Sequence, residues 1–132
     1  MVQTIDQRRA KHAWEAIEKI KNANGKDDYA REAKKLPVRI MTAGLGQALA
    51  FLHAKKKNKH ALENLVSDIT TWIGGQNNAA IRLSDPSNLI KSIISGDTEL
   101  LSRVTSETLA YMQWLNRFAE GAGLKAESQD ND

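Results

Sequence analysis

Apolar side chains recur every three to four positions along this 132-residue chain, and no stretch alternates apolar and polar residues long enough to make a strand. The pattern predicts an all-α fold, a single compact bundle of about six helices. The first opens at Thr4-Ile5-Asp6-Gln7, a capping box in which Thr4 and Gln7 satisfy each other's free amides. Ala10, Ala13, Ile17 and Ile20 line one face of it, and Asn22 to Gly25 closes it, with Gly25 suited to a left-handed position. A short second helix, from about Asp28 to Lys35, has acidic residues near its start and Lys34 and Lys35 at its end, which complements the helix dipole. Leu36-Pro37 is expected to break it, because the residue before proline is pushed out of helical geometry. Pro37 would then sit in the first turn of the third helix, where its missing N–H costs nothing.

That third helix, Pro37 to about Ala54, is the most apolar. Val38, Met41, Leu45, Ala48, Leu49 and Leu52 form a stripe that marks it as the central core helix. Lys55-Lys56-Lys57-Asn58-Lys59 reads as a basic loop or frayed end. The fourth helix, about His60 to Ile73, turns Leu62, Leu65, Val66 and Ile69 inward and ends at Gly74-Gly75. Gln76 to Ser84 is the longest irregular stretch. Asp85 caps a short fifth helix with Pro86 in its first turn, running to about Ser95. Gly96-Asp97 ends that helix and caps the sixth, Thr98 to about Glu120, with Leu101, Val104, Thr108, Tyr111, Leu115 and Phe118 at helical spacing. The expected layout is one helical domain over residues 1–125 and a disordered acidic tail over 126–132.

Composition narrows the chemistry. Hydrophobic residues at 41% and charged residues at 27% suit one globular core. With no cysteine there is no disulfide, thiolate nucleophile or Cys-based metal site, and a reducing cytoplasm is the expected setting. The opening residues lack the charged-then-apolar pattern of a signal peptide. The longest apolar run, Ile40 to Leu52, is interrupted by Gln47 and too short to cross a bilayer, so no membrane association is expected.

Charge is lopsided. Residues 1–60 hold 14 Lys and Arg against 6 Asp and Glu, a net of +8, while residues 61–132 carry −5. Such a distribution suits a polyanion-binding face, or copies packing basic end to acidic end. On the third helix Arg39, Thr42, Ala43, Gly46, Ala50, His53 and Lys57 fall along one side, a row of small residues with a cation at each end. That row is either a groove for a sugar-phosphate backbone or a second helix-packing surface.

Catalytic patterns are missing. His12, His53 and His60 form no H-E-x-x-H, and His12 with Glu15 on one helix makes a poor metal site, so a solvated or partly packed His12 is expected. There is no G-x-S-x-G or S-x-x-K. Gly44-Leu45-Gly46 starts like a dinucleotide fingerprint, but Leu49 stands at the third glycine position and no strand precedes it. Asp27 and Asp28 beside Lys26 read as capping residues rather than an acid–base pair. No enzyme, metal or cofactor is expected. Aromatic residues are only 5%, and Trp72, Tyr111, Trp114 and Phe118 lie in apolar stripes. Cations with few exposed rings should read backbone and shape rather than base sequence.

Three segments carry a family likeness. Leu36-Pro37, Ile40 and Gly44-Leu45-x-x-Ala48-Leu49-Ala50-Phe51-Leu52 resemble the central helix of the small subunit of the type III-B CRISPR (Cmr) RNA-silencing complex, the fifth protein of that module. Gln7-Arg8-Arg9-Ala10 is similar to its opening. Thr105-x-x-Thr108-Leu109-Ala110-x-x-x-Trp114-Leu115-x-Arg117-Phe118-Ala119 is similar to its last helix. The resemblance spans about Thr4 to Gly121. It implies a helical subunit without catalytic activity, stacked in several copies beside other CRISPR subunits and contacting guide RNA and target RNA. Carried over residue by residue, it implies RNA contacts at Arg9, Lys35, Arg39, Gln47, Lys55, Lys56 and Lys57. The alternative is a helical adaptor that binds only protein. A helix-turn-helix regulator fits less well, because Gly74-Gly75 is followed by Asn77-Asn78-Ala79-Ala80 rather than a recognition helix.

Overall fold

In a computed structural model, which describes residues 2–56, 59–75 and 81–126, the chain is all-α. Six helices are present among the described residues: α1 (Ile5–Ile20), α2 (Lys26–Ala43), α3 (Leu45–Lys55), α4 (Ala61–Gly74), α5 (Leu89–Ser95) and α6 (Thr98–Gly121). None of them is long and apolar enough to cross a membrane.

Helix α1 starts as its capping box dictates. The Gln7 amide donates to Thr4 Oγ1 at 3.0 Å, and the Thr4 amide donates to Gln7 Oε1 at 2.8 Å. Ala13, Ala16, Ile17 and Ile20 are buried, and this face lies along α6. Gly25 takes the expected left-handed conformation, φ +84°, but it opens α2 rather than only closing α1.

The expected break at Leu36-Pro37 does not occur. Pro37 lies inside α2, which runs unbroken from Lys26 to Ala43. A proline there removes the N–H that would bond to the carbonyl of Ala33, four residues earlier. That carbonyl accepts instead from the side-chain amide of Asn116, on α6, at 3.0 Å. The burial phase of α2 is set by Tyr29, Ala30, Ala33, Leu36 and Ile40. Val38 and Met41, expected in the core, therefore face outward, 65% and 74% exposed.

The break comes seven residues later, at Gly44. Its φ of +88° and ψ of 160° belong to a region open only to glycine. The Gly44 N–H ends α2 on the Ile40 carbonyl, and its own carbonyl receives the Ala48 N–H of α3. Helix α3 folds back antiparallel on α2, so that residue 51 meets residue 39 and residue 55 meets residue 32. Leu45, Ala48, Leu49 and Leu52 of α3 are buried as the apolar stripe required.

Helix α5 starts at Leu89, later than expected, with Asn88 as its cap through a 3.0 Å bond from the Lys91 amide. Asp85 holds the Ser87 amide and hydroxyl in a turn instead. Asp97 caps α6 as anticipated, accepting from the Leu100 amide at 2.8 Å. Leu101 lies partly outward, while Val104, Thr108, Tyr111, Met112 and Leu115 of α6 join one core with α1, α2 and α4. Trp72 and Tyr111 are buried, whereas Trp114 and Phe118 are half-buried. Most of the expected irregular loop (residues 76–80) and of the acidic tail (127–132) lies outside the described residues.

Candidate nucleic-acid interface

The α2–α3 hairpin gathers cations around one carboxylate. Glu32 is only 2% exposed, and its two oxygens receive Arg39 Nη1 at 2.6 Å and Lys55 Nζ at 2.7 Å. Burial works against the ionised form of Glu32, but the hydrogen bonds and charges of Lys55 and Arg39 outweigh it and hold the carboxyl below its usual value. Phe51 completes the cluster. The Arg39 guanidinium carbon lies 4.1 Å from the centre of its ring, and Lys55 Nζ lies 5.6 Å away. Phe51 nevertheless remains 48% exposed.

The arrangement follows from helical register. Glu32, Lys35 and Arg39 share one face of α2, and Gln47, Phe51 and Lys55 succeed one another at four-residue spacing on α3. The antiparallel turn at Gly44 brings those faces together. Lys35 and Gln47 are exposed beside the cluster. Two guanidinium or ammonium groups against one carboxylate leave this surface net positive.

Four of the seven expected contact residues, Lys35, Arg39, Gln47 and Lys55, thus lie on the hairpin's two adjoining helix faces. The others do not join them. Arg9 projects from α1 into ion pairs with Glu107 of α6 and Asp6, and its side chain is 12% exposed. Glu107 also receives Trp72 Nε1 at 3.0 Å, so Arg9 and Trp72 together neutralise and satisfy a buried carboxylate. Arg9 is accordingly a clamp between α1 and α6, not a cation open to a ligand. Lys56 lines a cleft of about 150 Å³ with His53, Leu49, Val66, Thr70 and Asn88, toward α4 and α5. Lys57 lies outside the described residues. The row proposed for one long third helix is likewise divided, because Thr42 and Ala43 precede the Gly44 turn while Gly46 and Ala50 follow it.

Two members of the cluster were not singled out from the sequence, Glu32 and Phe51. The i, i+7 spacing of Glu32 and Arg39 is a helical signal, but it was hidden by the break assigned to Pro37. Among the described residues no three His, Cys, Asp or Glu side chains form a group able to hold a metal ion. His12 is half-buried, with Nδ1 2.8 Å from the Tyr111 hydroxyl and Nε2 3.2 Å from Thr71 Oγ1.

Comparison with known proteins agrees with this architecture. Residues 5–122 match the family model described as CRISPR-associated protein (Cas_Cmr5). The chain is 31% identical over 111 residues to the CRISPR system Cmr subunit Cmr5 of Thermus thermophilus, covering 84% of this chain and 89% of that protein. It is also similar to the crystal structure of a CRISPR-associated Cmr5 family protein from the same organism. That match has a TM-score of 0.76 at 30% identity and covers 91% of this chain and 97% of the other.

Proposed function

Since the chain belongs to the Cmr5 family of CRISPR-associated proteins, we propose that it is a non-catalytic small subunit of a type III-B CRISPR ribonucleoprotein, meeting the backbone of guide or target RNA through its α2–α3 hairpin. The carrying observation is the convergence of Arg39 and Lys55 on one carboxylate, with Lys35 and Gln47 exposed alongside. Cations held in place by Glu32 lose little side-chain freedom when a phosphate arrives, which favours backbone contact over a chance surface charge. Its work in antiviral RNA silencing would be to position RNA in the cytoplasm, with copies of itself and the other complex subunits as neighbours.

The test is binding of single-stranded RNA across a salt series, with wild type compared against Lys35→Glu combined with Gln47→Glu. Neither Lys35 nor Gln47 is a hydrogen-bond or ion-pair partner of Glu32, which holds Arg39 and Lys55. The double variant should bind more weakly, with its salt slope reduced by about 0.7, the contribution of one phosphate contact on a single strand, since Lys35 is the one cation removed. Wild-type binding without any salt slope would reject the proposal.

An adaptor that binds only protein has its own support. Met41 and Val38 are exposed, and Met41 lines a groove of about 860 Å³ with Pro37, Leu109 and Trp114. Capture of the other complex subunits after nuclease treatment, by a chain that binds no free RNA, would favour that reading.

A further inference from the structure

We infer that Phe51, which lies beside Arg39 and Lys55 and stays half exposed, is a stacking platform for an unpaired nucleobase. This rests on the RNA reading above and makes it more specific: the hairpin takes single-stranded RNA, base against ring, rather than a closed duplex by its phosphates alone.

The physical case begins with exposure. A phenylalanine 48% exposed leaves about half of its ring in water, where a lysine or glutamine would serve solubility better. What distinguishes this ring is its frame. Arg39 lies over it at 4.1 Å, Lys55 stands 5.6 Å from its centre, and both are fixed by the same buried carboxylate. A base laid against the uncovered part of the ring gains dispersion from a flat π surface, and its flanking phosphates find two cations already in position. Gln47, one turn before Phe51 and exposed, carries an amide that can both donate to and accept from a base edge. Acidic side chains would use the cations but bring no aromatic face to the ring, whereas every nucleotide carries one beside its phosphate, so the observations favour a nucleic-acid strand.

The experiment compares two labelled strands of equal length, an oligouridine and an abasic ribose-phosphate chain, by fluorescence anisotropy in a salt series. Wild type should bind the base-bearing strand about tenfold more tightly, within the range for one base on one ring. Phe51→Ala and Phe51→Leu should abolish that preference while leaving the salt slope unchanged, because every cation remains. Phe51→Trp should preserve it. Leucine keeps the apolar bulk, so its failure could not be blamed on lost packing. Equal binding of both strands by wild type, with a normal salt slope, would overturn the stacking inference and leave the phosphate reading standing. So would a preference that survives in the alanine and leucine variants, or tighter binding of a polyglutamate peptide than of oligouridine. Failure to bind either strand would overturn both readings together.

Discussion

The side-chain amide of Asn116 donates to the carbonyl oxygen of Ala33 at 3.0 Å, across the interface between α6 and α2. Ala33 is the residue whose carbonyl Pro37 leaves without its usual partner, so one side chain on α6 supplies the hydrogen bond that the proline removes from α2. Helix α2 can therefore continue to Ala43, and only then does the chain turn back to place Phe51 and Lys55 beside Arg39.

Removing that donor should expose the dependence. Asn116→Ala is expected to lower stability by roughly 1–2 kcal/mol, the usual effect of leaving a partly buried carbonyl unsatisfied. In a Pro37→Ala background, residue 37 regains an N–H aimed at Ala33, and the cost of Asn116→Ala should shrink markedly. Denaturant unfolding of the four proteins in this cycle measures the coupling. An equal loss in both backgrounds would contradict the arrangement.

Gly44 is constrained by its backbone and not by its surroundings, since a Cβ added there would meet nothing within 4 Å. Gly44→Ala should cost about 1–3 kcal/mol through its positive φ alone. Gly25 combines a positive φ with crowding, because an added Cβ would come within 2.7 Å of the Ala61 Cβ. Gly25→Ala should therefore be the more damaging of the two, as thermal melts would record. The reverse order would mean that the glycine-only conformation of Gly44 outweighs the crowding at Ala61.

Acid should weaken the fold through His12. Burial pushes its pKa below 6.5, reinforced by Lys19 and partly opposed by Glu15, while Tyr111 from α6 and Thr71 and Trp72 from α4 enclose the ring. A group with a lowered folded pKa binds its proton more readily in the unfolded chain. His12 thus leaves stability unaffected well above pH 6.5 and subtracts from it as pH falls through that value toward the folded pKa. Unfolding free energies measured from mildly alkaline to mildly acidic pH should decline for wild type and decline less for His12→Gln. Parallel profiles would show that His12 titrates alike in both states.

Arg9 separates stability from binding. Arg9→Ala strands Glu107, which is buried between α1, α4 and α6, and should cost roughly 3 kcal/mol, the lower end for breaking a buried pair by removing one partner. At temperatures where the variant stays folded, its RNA salt slope should match wild type. A reduced slope would return Arg9 to the binding face.

Local physics made much of this molecule readable in one dimension. The 3.6-residue period, the Thr4–Gln7 box, the Asp97 cap and the Leu45–Leu52 stripe are properties of neighbouring residues, and each forms as those neighbours require. The positive charge of the opening sixty residues was equally visible, with Lys35, Arg39 and Lys55 of the hairpin among its cations. Whether Pro37 ends a helix was not a local question, because its answer lies in a donor 83 residues away from Ala33. Nor was the fate of Arg9, whose carboxylate partner is 98 residues distant. Spacing alone could say that cations were plentiful. Only packing, by choosing which carboxylates are buried and therefore must be paired, decided that Arg9 would be consumed inside the bundle while Arg39 and Lys55 would frame an exposed ring at its surface.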